Sequence, residues 1–124
     1  MFVKTLTGLI LLIHVSIGPG SIVPENDDSY VRLSAREKSA ALNPLIHTAT
    51  ECLARAVSRD PRLGKAQVTD LIVDSFKNCT APVREMIDAH DRYYGPGSGE
   101  QFFMGPYLDA LPGTVVEIVG KTSR

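Results

Sequence analysis

The sequence contains few of the residues and motifs that carry catalysis or hold a cofactor. It has two cysteines and no tryptophan. Cys52 and Cys79 lie far apart with no third cysteine, which excludes the paired cysteines of a structural zinc site. No serine lies in the Gly-x-Ser-x-Gly context of a hydrolase nucleophile, and the glycine-rich residues 95–99 lack the Gly-Lys-Ser/Thr ending of a phosphate-binding loop. These absences favour a non-enzymatic protein, and we expect no cofactor.

Charge of one sign is also not concentrated anywhere in the chain. The formal net charge is −1 at pH 7, and acidic and basic residues are interspersed. There is no basic stripe of the kind that follows a nucleic-acid backbone, and no polybasic cluster that would hold an anionic membrane surface. We therefore expect neither nucleic acid nor a membrane surface as a partner.

The N-terminal segment has the pattern of a secretory signal. Lys4 is the only charge before Glu25, residues 6–17 are mostly apolar, and Gly18-Pro19-Gly20 follows. The apolar run is shorter than the roughly 20 residues that a membrane-spanning helix needs. We predict a signal peptide at residues 1–20 and an exported protein, periplasmic or extracellular, with no stable membrane anchor after cleavage. The alternative is a buried N-terminal helix of a cytosolic protein.

Export bears directly on the two cysteines. In an oxidising compartment an even number of cysteines favours pairing, so we predict a disulfide between Cys52 and Cys79. Closing that loop would stabilise a small domain by roughly 3.5 kcal/mol. The alternative is a pair of reduced, buried thiols that pack as small apolar side chains.

Apolar residues recur three or four positions apart along most of residues 34–124, which predicts an all-α fold. We expect a single-domain bundle of about three to five helices after a flexible arm at residues 21–33. Ser34 and Glu37 have the spacing of a capping box and predict a helix start. Pro44 predicts that this helix ends or kinks at Asn43, which would itself cap a following helix.

The longest apolar stripe begins near the middle of the chain and passes through Pro82, where a kink or a break into two helices is expected, with Thr80 capping the second piece. Its members are Val68, Ile72, Phe76, Cys79, Val83, Ile87, His90 and Tyr94. Farther on, Ser98 and Gln101 match a second capping box. Residues 112–119 combine strand-forming side chains with no partner strand, so we predict a helix there.

The spacing of the cysteines limits how these helices can pack. In a simple helical hairpin about residues 58–64, Cys52 and Cys79 would differ in axial position by roughly 13 Å, too far for a bridge. Three alternatives remain open: the helices cross steeply, the second helix begins later, or the disulfide does not form.

Five aromatic residues are concentrated in a short segment rich in glycine and proline. They are Tyr93, Tyr94, Phe102, Phe103 and Tyr107. We expect them to close one end of the hydrophobic core. The alternative is a surface for a partner protein or a pocket for a small ligand, because aromatic side chains anchor interfaces well.

The densest polar cluster surrounds His90, between Asp88 and Arg92. Its simplest interpretation is a half-buried histidine with one hydrogen-bonded ring nitrogen, beside a solvated charged face. The order His47, then His90-Asp91, then Asp109 superficially resembles the His, His-Asp, Asp ligand order of the helical metal-dependent phosphohydrolases called HD-domain proteins. That resemblance implies a divalent metal that activates water, but the chain is short for that family.

Three hypotheses for function follow. The first is an exported, non-enzymatic helical protein of the cell envelope or periplasm that binds another protein. The second is a small-ligand carrier with a pocket lined by the aromatic cluster, and the third and least favoured is a metal-dependent hydrolase. The identity of the partner or ligand is not encoded in any motif of the sequence.

Overall fold

A computed structural model describes residues 33–122, which are helical almost throughout and contain no strand. The predicted signal peptide and all of the predicted arm except Leu33 lie outside the described residues. The helices are α1 (Ala35–Ser58), α2 (Val68–Ser75), α3 (Thr80–Tyr94), α4 (Ser98–Phe102) and α5 (Leu108–Thr122). A 3-10 turn, Phe76–Asn78, precedes α3, and a π-helical turn, Phe103–Tyr107, joins α4 to α5. The prediction of an all-α bundle is confirmed.

Helix α1 begins as its sequence predicts. The Glu37 backbone N–H donates to Ser34 Oγ at 3.2 Å, and the Ser34 backbone N–H donates to the Glu37 carboxylate at 2.8 Å. The end predicted at Asn43 is wrong, because α1 continues through Pro44 to Ser58. Ala40 and Pro44 are both exposed, so the carbonyl that proline leaves without a helical N–H donor lies where water can reach it.

The break predicted near Pro82 is confirmed. Helix α2 ends at Ser75, the 3-10 turn follows, and Cys79 occupies the N-cap position of α3. Pro82 lies in the first turn of α3, where a backbone N–H has no helical acceptor and its loss costs little. The cap predicted for Thr80 is wrong: its hydroxyl donates backwards, to the carbonyl of Phe76 at 3.1 Å.

The disulfide between Cys52 and Cys79 is formed, with the two Cα atoms 5.9 Å apart. It joins the third quarter of α1 to the start of α3. Of the three alternatives left open by the sequence, the absence of the disulfide is wrong. The second helix begins at Val68 and packs on α1, but it ends at Ser75, so Cys79 lies at the start of a third helix and not within one continuous helix.

The hydrophobic core lies between α1, α2, α3 and α5. Its largest fully buried side chains are Leu53, Leu71, Met86, Leu111, Val57, Val115 and Cys79. Residues 112–119 are helical as predicted, and the buried Val115 faces this core. One polar pair lies inside it: the hydroxyls of Tyr107 and Thr50 are 3.1 Å apart.

Within residues 33–122, every helix is too short or too polar to cross a lipid bilayer.

Candidate functional site

The five aromatic residues of the sequence cluster occupy three different environments. Tyr107 belongs to the core, with only 5% of its surface exposed. Phe102 and Phe103 are half-buried, and their ring centroids lie 5.9 and 5.8 Å from that of Tyr107. Tyr94 is exposed at the end of α3, with the Lys38 ammonium 5.2 Å from its ring centroid. Tyr93 beside it is half-buried. The cluster therefore spans from the core to the surface.

The histidine of the polar cluster packs against two aromatic rings. The His90 imidazole lies 4.7 Å from the ring of Tyr94 and 4.8 Å from that of Phe102. Its Nδ1 is 2.9 Å from Ser98 Oγ. Because the single Ser98 hydroxyl proton has a closer acceptor in the Gly95 carbonyl, at 2.6 Å, the geometry assigns Nδ1–H as the donor. Burial lowers the pKa of His90, and the charge of Asp91 opposes that shift.

Asp91 supplies the cap of α4 from a different helix. Its carboxylate accepts the backbone N–H of Gly99 at 2.7 Å. The capping box predicted for Ser98 and Gln101 is wrong, because Gly97 is the N-cap residue of α4 and Ser98 makes no cap bond to that helix. A carboxylate near a helix N-terminus satisfies a free N–H and complements the helix dipole. His90 and Asp91 thus fasten α4 to the end of α3.

Gly99 allows this junction to be close. It is buried, and a Cβ atom placed on it would meet the Ile87 carbonyl oxygen and lie 2.9 Å from the Asp91 carboxylate. Any side chain there would push α4 away from α3. The junction therefore fixes where α4 begins, and with it the position of the π-helical turn that follows.

The residues that resemble the ligand set of HD-domain proteins do not form a metal centre. His47 is exposed on α1 and lies 3.1 Å from Glu51, one turn away. Asp109 is exposed in the first turn of α5, whereas His90 and Asp91 hold α4. Among residues 33–122 no three histidine, cysteine, aspartate or glutamate side chains are grouped so that they could hold one metal ion. The resemblance stops at the order of the residues in the chain.

An apolar groove lies between α2, α3 and the π-helical turn, with a volume of about 610 Å³. We name it the α3 groove. It is lined by Val73, Phe76, Thr80, Val83, Arg84, Ile87, Asp88, Phe103, Met104 and Leu108. Most of these side chains are apolar, and Arg84 and Asp88 are the charged members. A groove of this size with an apolar lining is typical of a binding site.

Two large apolar side chains of the α3 groove are unusually open to solvent. Val73 is 60% exposed and Met104 is 62% exposed. The rings of Phe76 and Phe103, which also line the groove, pack edge to face with their centroids 5.5 Å apart. The bundle therefore leaves a contiguous apolar surface uncovered, although burying it would be favourable.

The π-helical turn forms one wall of the α3 groove. The turn contains Gly105 and Pro106, and Pro106 lacks the N–H that a regular helix would use. The turn places Tyr107 in the core while Phe103 and Met104 line the groove. Such turns occur frequently at functional sites. Sequence reasoning identified Phe103 but missed the groove; the Gly-Pro pair inside an aromatic segment was the available signal.

Comparison with known proteins found no matching family model, no matching curated protein and no matching solved structure.

Proposed function

We propose that this protein is an exported, non-enzymatic interaction module, and that its α3 groove binds an amphipathic helical segment of a partner protein. The observation that carries the proposal is the contiguous apolar lining with Val73 and Met104 more than half exposed. A partner that covers these side chains would remove apolar surface from water, which is the main favourable contribution to protein association.

The dimensions of the groove suit a short helix. Along α3 its wall extends from Thr80 to Asp88, about 12 Å at 1.5 Å per residue. That length matches two helical turns, so a partner would present apolar anchors at positions i, i+3 or i+4, and i+7. Met104 supports this assignment, because the flexible methionine side chain can adapt its shape to a partner.

The charges at the groove give the partner a preferred orientation. Arg84 and Asp88 are one turn apart on α3, both exposed, and within residues 33–122 neither forms a salt bridge. A partner helix with an acidic and a basic residue one turn apart could pair with both in one orientation and would be repelled in the other.

A small-ligand carrier is the second candidate. The volume of about 610 Å³ lies in the range of ligand pockets, and two aromatic rings contribute to the lining. Against it, carriers enclose most of the ligand surface, whereas Val73 and Met104 stand open at this site. We therefore prefer the protein partner.

Export is tested by the intact mass of the protein recovered from the exported fraction of its host, before and after reduction. We expect a chain that begins at or near Ser21 and is alkylated at Cys52 and Cys79 only after reduction. A full-length chain with both thiols free would contradict export.

Binding is tested by display selection of helical peptides of about 14 residues with apolar anchors at i, i+4 and i+7. Selected peptides are measured against Val73→Asp and against Val116→Asp as the matched control. Val116 is also a helical valine, 54% exposed, and lies outside the groove. Thermal denaturation checks that both variants fold.

We expect Val73→Asp to weaken peptide binding at least tenfold, because it places a charge against the apolar anchors. Val116→Asp should leave the affinity unchanged. Equal affinities for the two variants, or no selected peptide, would contradict the proposal. Saturable binding of small apolar compounds alone would favour the carrier.

A further inference from the structure

A second cleft, of about 480 Å³, lies at the end of α1 beside the disulfide. We name it the basic cleft. It is lined by Cys52, Arg55, Ala56, Arg59, Asp60, Pro61, Arg62, Asp74, Ser75, Lys77, Asn78 and Cys79. It shares no residue with the α3 groove, so it can be tested separately from the proposed function.

The basic cleft concentrates positive charge in a chain that is otherwise evenly mixed. Four of its lining residues are cations, Arg55, Arg59, Arg62 and Lys77, and two are carboxylates, Asp60 and Asp74. Positive charges therefore outnumber negative charges in a confined volume. Like charges held close together repel one another, and an anion placed between them removes that cost.

Both carboxylates are paired with one arginine, and the three groups together carry a net charge of −1. Arg62 donates from Nε and Nη2 to Asp60, at 3.1 and 2.8 Å, and from Nη2 to Asp74 at 2.8 Å. These hydrogen bonds hold the pKa of Asp60 below its usual value, so its carboxylate stays ionised and hydrogen-bonded to Arg62. The remaining cations, Arg55, Arg59 and Lys77, form no salt bridge with any residue between 33 and 122. The charge of Lys77 also contributes to the lowered pKa of Asp60.

The walls of the basic cleft are fixed relative to each other. Arg55 and Arg59 are one turn apart at the end of α1, and Lys77 belongs to the 3-10 turn before α3. The disulfide joins these two elements at Cys52 and Cys79, which both line the cleft. The backbone segments that carry these cations are therefore fixed before binding, and the conformational entropy lost when a ligand arrives is that of the side chains alone.

From this arrangement we propose that the basic cleft binds a small anion with at least two negatively charged groups, phosphate or carboxylate. One anionic group accepts hydrogen bonds from the guanidinium groups of Arg55 and Arg59. A guanidinium group is planar and can donate two parallel hydrogen bonds to a phosphate or a carboxylate. The second group pairs with the Lys77 ammonium. The ligand thereby spans the cleft from α1 to the 3-10 turn.

Isothermal titration calorimetry tests this proposal. The mature protein is titrated with pyrophosphate and, separately, with citrate, which distinguishes phosphate groups from carboxylate groups as the ligand. Inorganic phosphate is the probe with one anionic group. We expect saturable binding of pyrophosphate or citrate with a Kd of about 1 mM or tighter, weaker binding of inorganic phosphate, and loss of affinity at high salt.

Arg55→Gln is the test variant and Arg92→Gln the matched control. Both arginines are basic residues in the last turn of a helix, so both substitutions remove the same favourable interaction with the helix dipole. Arg92 lies outside the cleft. We expect Arg55→Gln to weaken binding of the anion about tenfold, because a charge-assisted hydrogen bond is lost. Arg92→Gln should leave the affinity for the anion unchanged. Equal affinity for the two variants, or a Kd above about 10 mM for both polyanions, would overturn the assignment.

Discussion

Replacing Gly99 by alanine tests how α4 is held on α3. In a helix, a glycine-to-alanine substitution normally stabilises a protein by up to about 1 kcal/mol. At Gly99 the new methyl group would meet the backbone carbonyl oxygen of Ile87, which cannot rotate away because it belongs to the middle of α3. We therefore expect the opposite sign.

The magnitude follows from the contacts that α4 would lose on moving away. Overpacking of this kind costs about 1–3 kcal/mol. Loss of the hydrogen bond from the Gly99 N–H to the Asp91 carboxylate, at 2.7 Å, costs about 1.5–3 kcal/mol more. After subtracting a gain in helix propensity of about 1 kcal/mol, we expect Gly99→Ala to lower the free energy of unfolding by about 1.5–5 kcal/mol.

Chemical denaturation measures this change, with Gly113→Ala as the control. Gly113 is a helical glycine in α5, and nothing lies within 4 Å of a Cβ atom placed on it. We expect Gly113→Ala to stabilise the protein by about 0.5–1 kcal/mol. If Gly99→Ala stabilised the protein as much as Gly113→Ala, the close packing of α4 on α3 would be refuted.

Three further predictions concern other parts of the fold. Tyr107→Phe should lower the free energy of unfolding, measured by urea denaturation, by about 1 kcal/mol, since the Thr50 hydroxyl keeps its hydrogen bond to the Ile46 carbonyl at 2.7 Å. A loss above about 3 kcal/mol would show that the pair of hydroxyls contributes more than these contacts indicate. The disulfide closes a loop with a sequence separation of 27, so its reduction should lower the free energy of unfolding by roughly 3.5 kcal/mol. An unchanged denaturation midpoint after reduction would contradict this. Because burial holds the pKa of His90 below its usual 6.5, the unfolded chain binds the proton more readily than the folded chain. The contribution of His90 to stability is therefore complete above pH 6.5 and is lost as the pH falls toward the folded-state pKa. His90→Gln should lack this pH dependence, and identical pH profiles of stability for the two proteins would contradict the prediction.

The sequence predicts those parts of the fold that local chemistry determines. The capping box at Ser34 and Glu37 depends on side chains three residues apart, and the break before α3 depends on Pro82. The helix at residues 112–119 follows from the lack of a partner strand for Val115 and its neighbours.

The remaining features depend on residues that are distant in the chain, and sequence patterns do not show them. The cap of α4 comes from Asp91 on α3 and not from Ser98, because tertiary contact places a carboxylate at that helix end. Pro44 is accommodated within α1, where its exposed surroundings reduce the cost of a missing hydrogen bond.

The candidate site was predicted in part. The aromatic segment was recognised from its composition, and Phe103 does line the α3 groove. Phe76, Val83 and Ile87 belong to the apolar stripe predicted from the sequence, whereas Val73 was not predicted to be part of it. The stripe breaks at the 3-10 turn, and residues from both sides of the break, Phe76 before it and Ile87 after it, line the groove.

The central claim, that the α3 groove binds a partner helix, is tested most directly by methionine methyl NMR. Besides Met1, the chain contains two methionines, Met86 and Met104. Met86 is fully buried, and Met104 is 62% exposed in the groove. On titration with a selected helical peptide, we predict that the Met104 methyl resonance shifts with saturation while the Met86 resonance changes little. Saturable binding that leaves the Met104 resonance in place would contradict the claim.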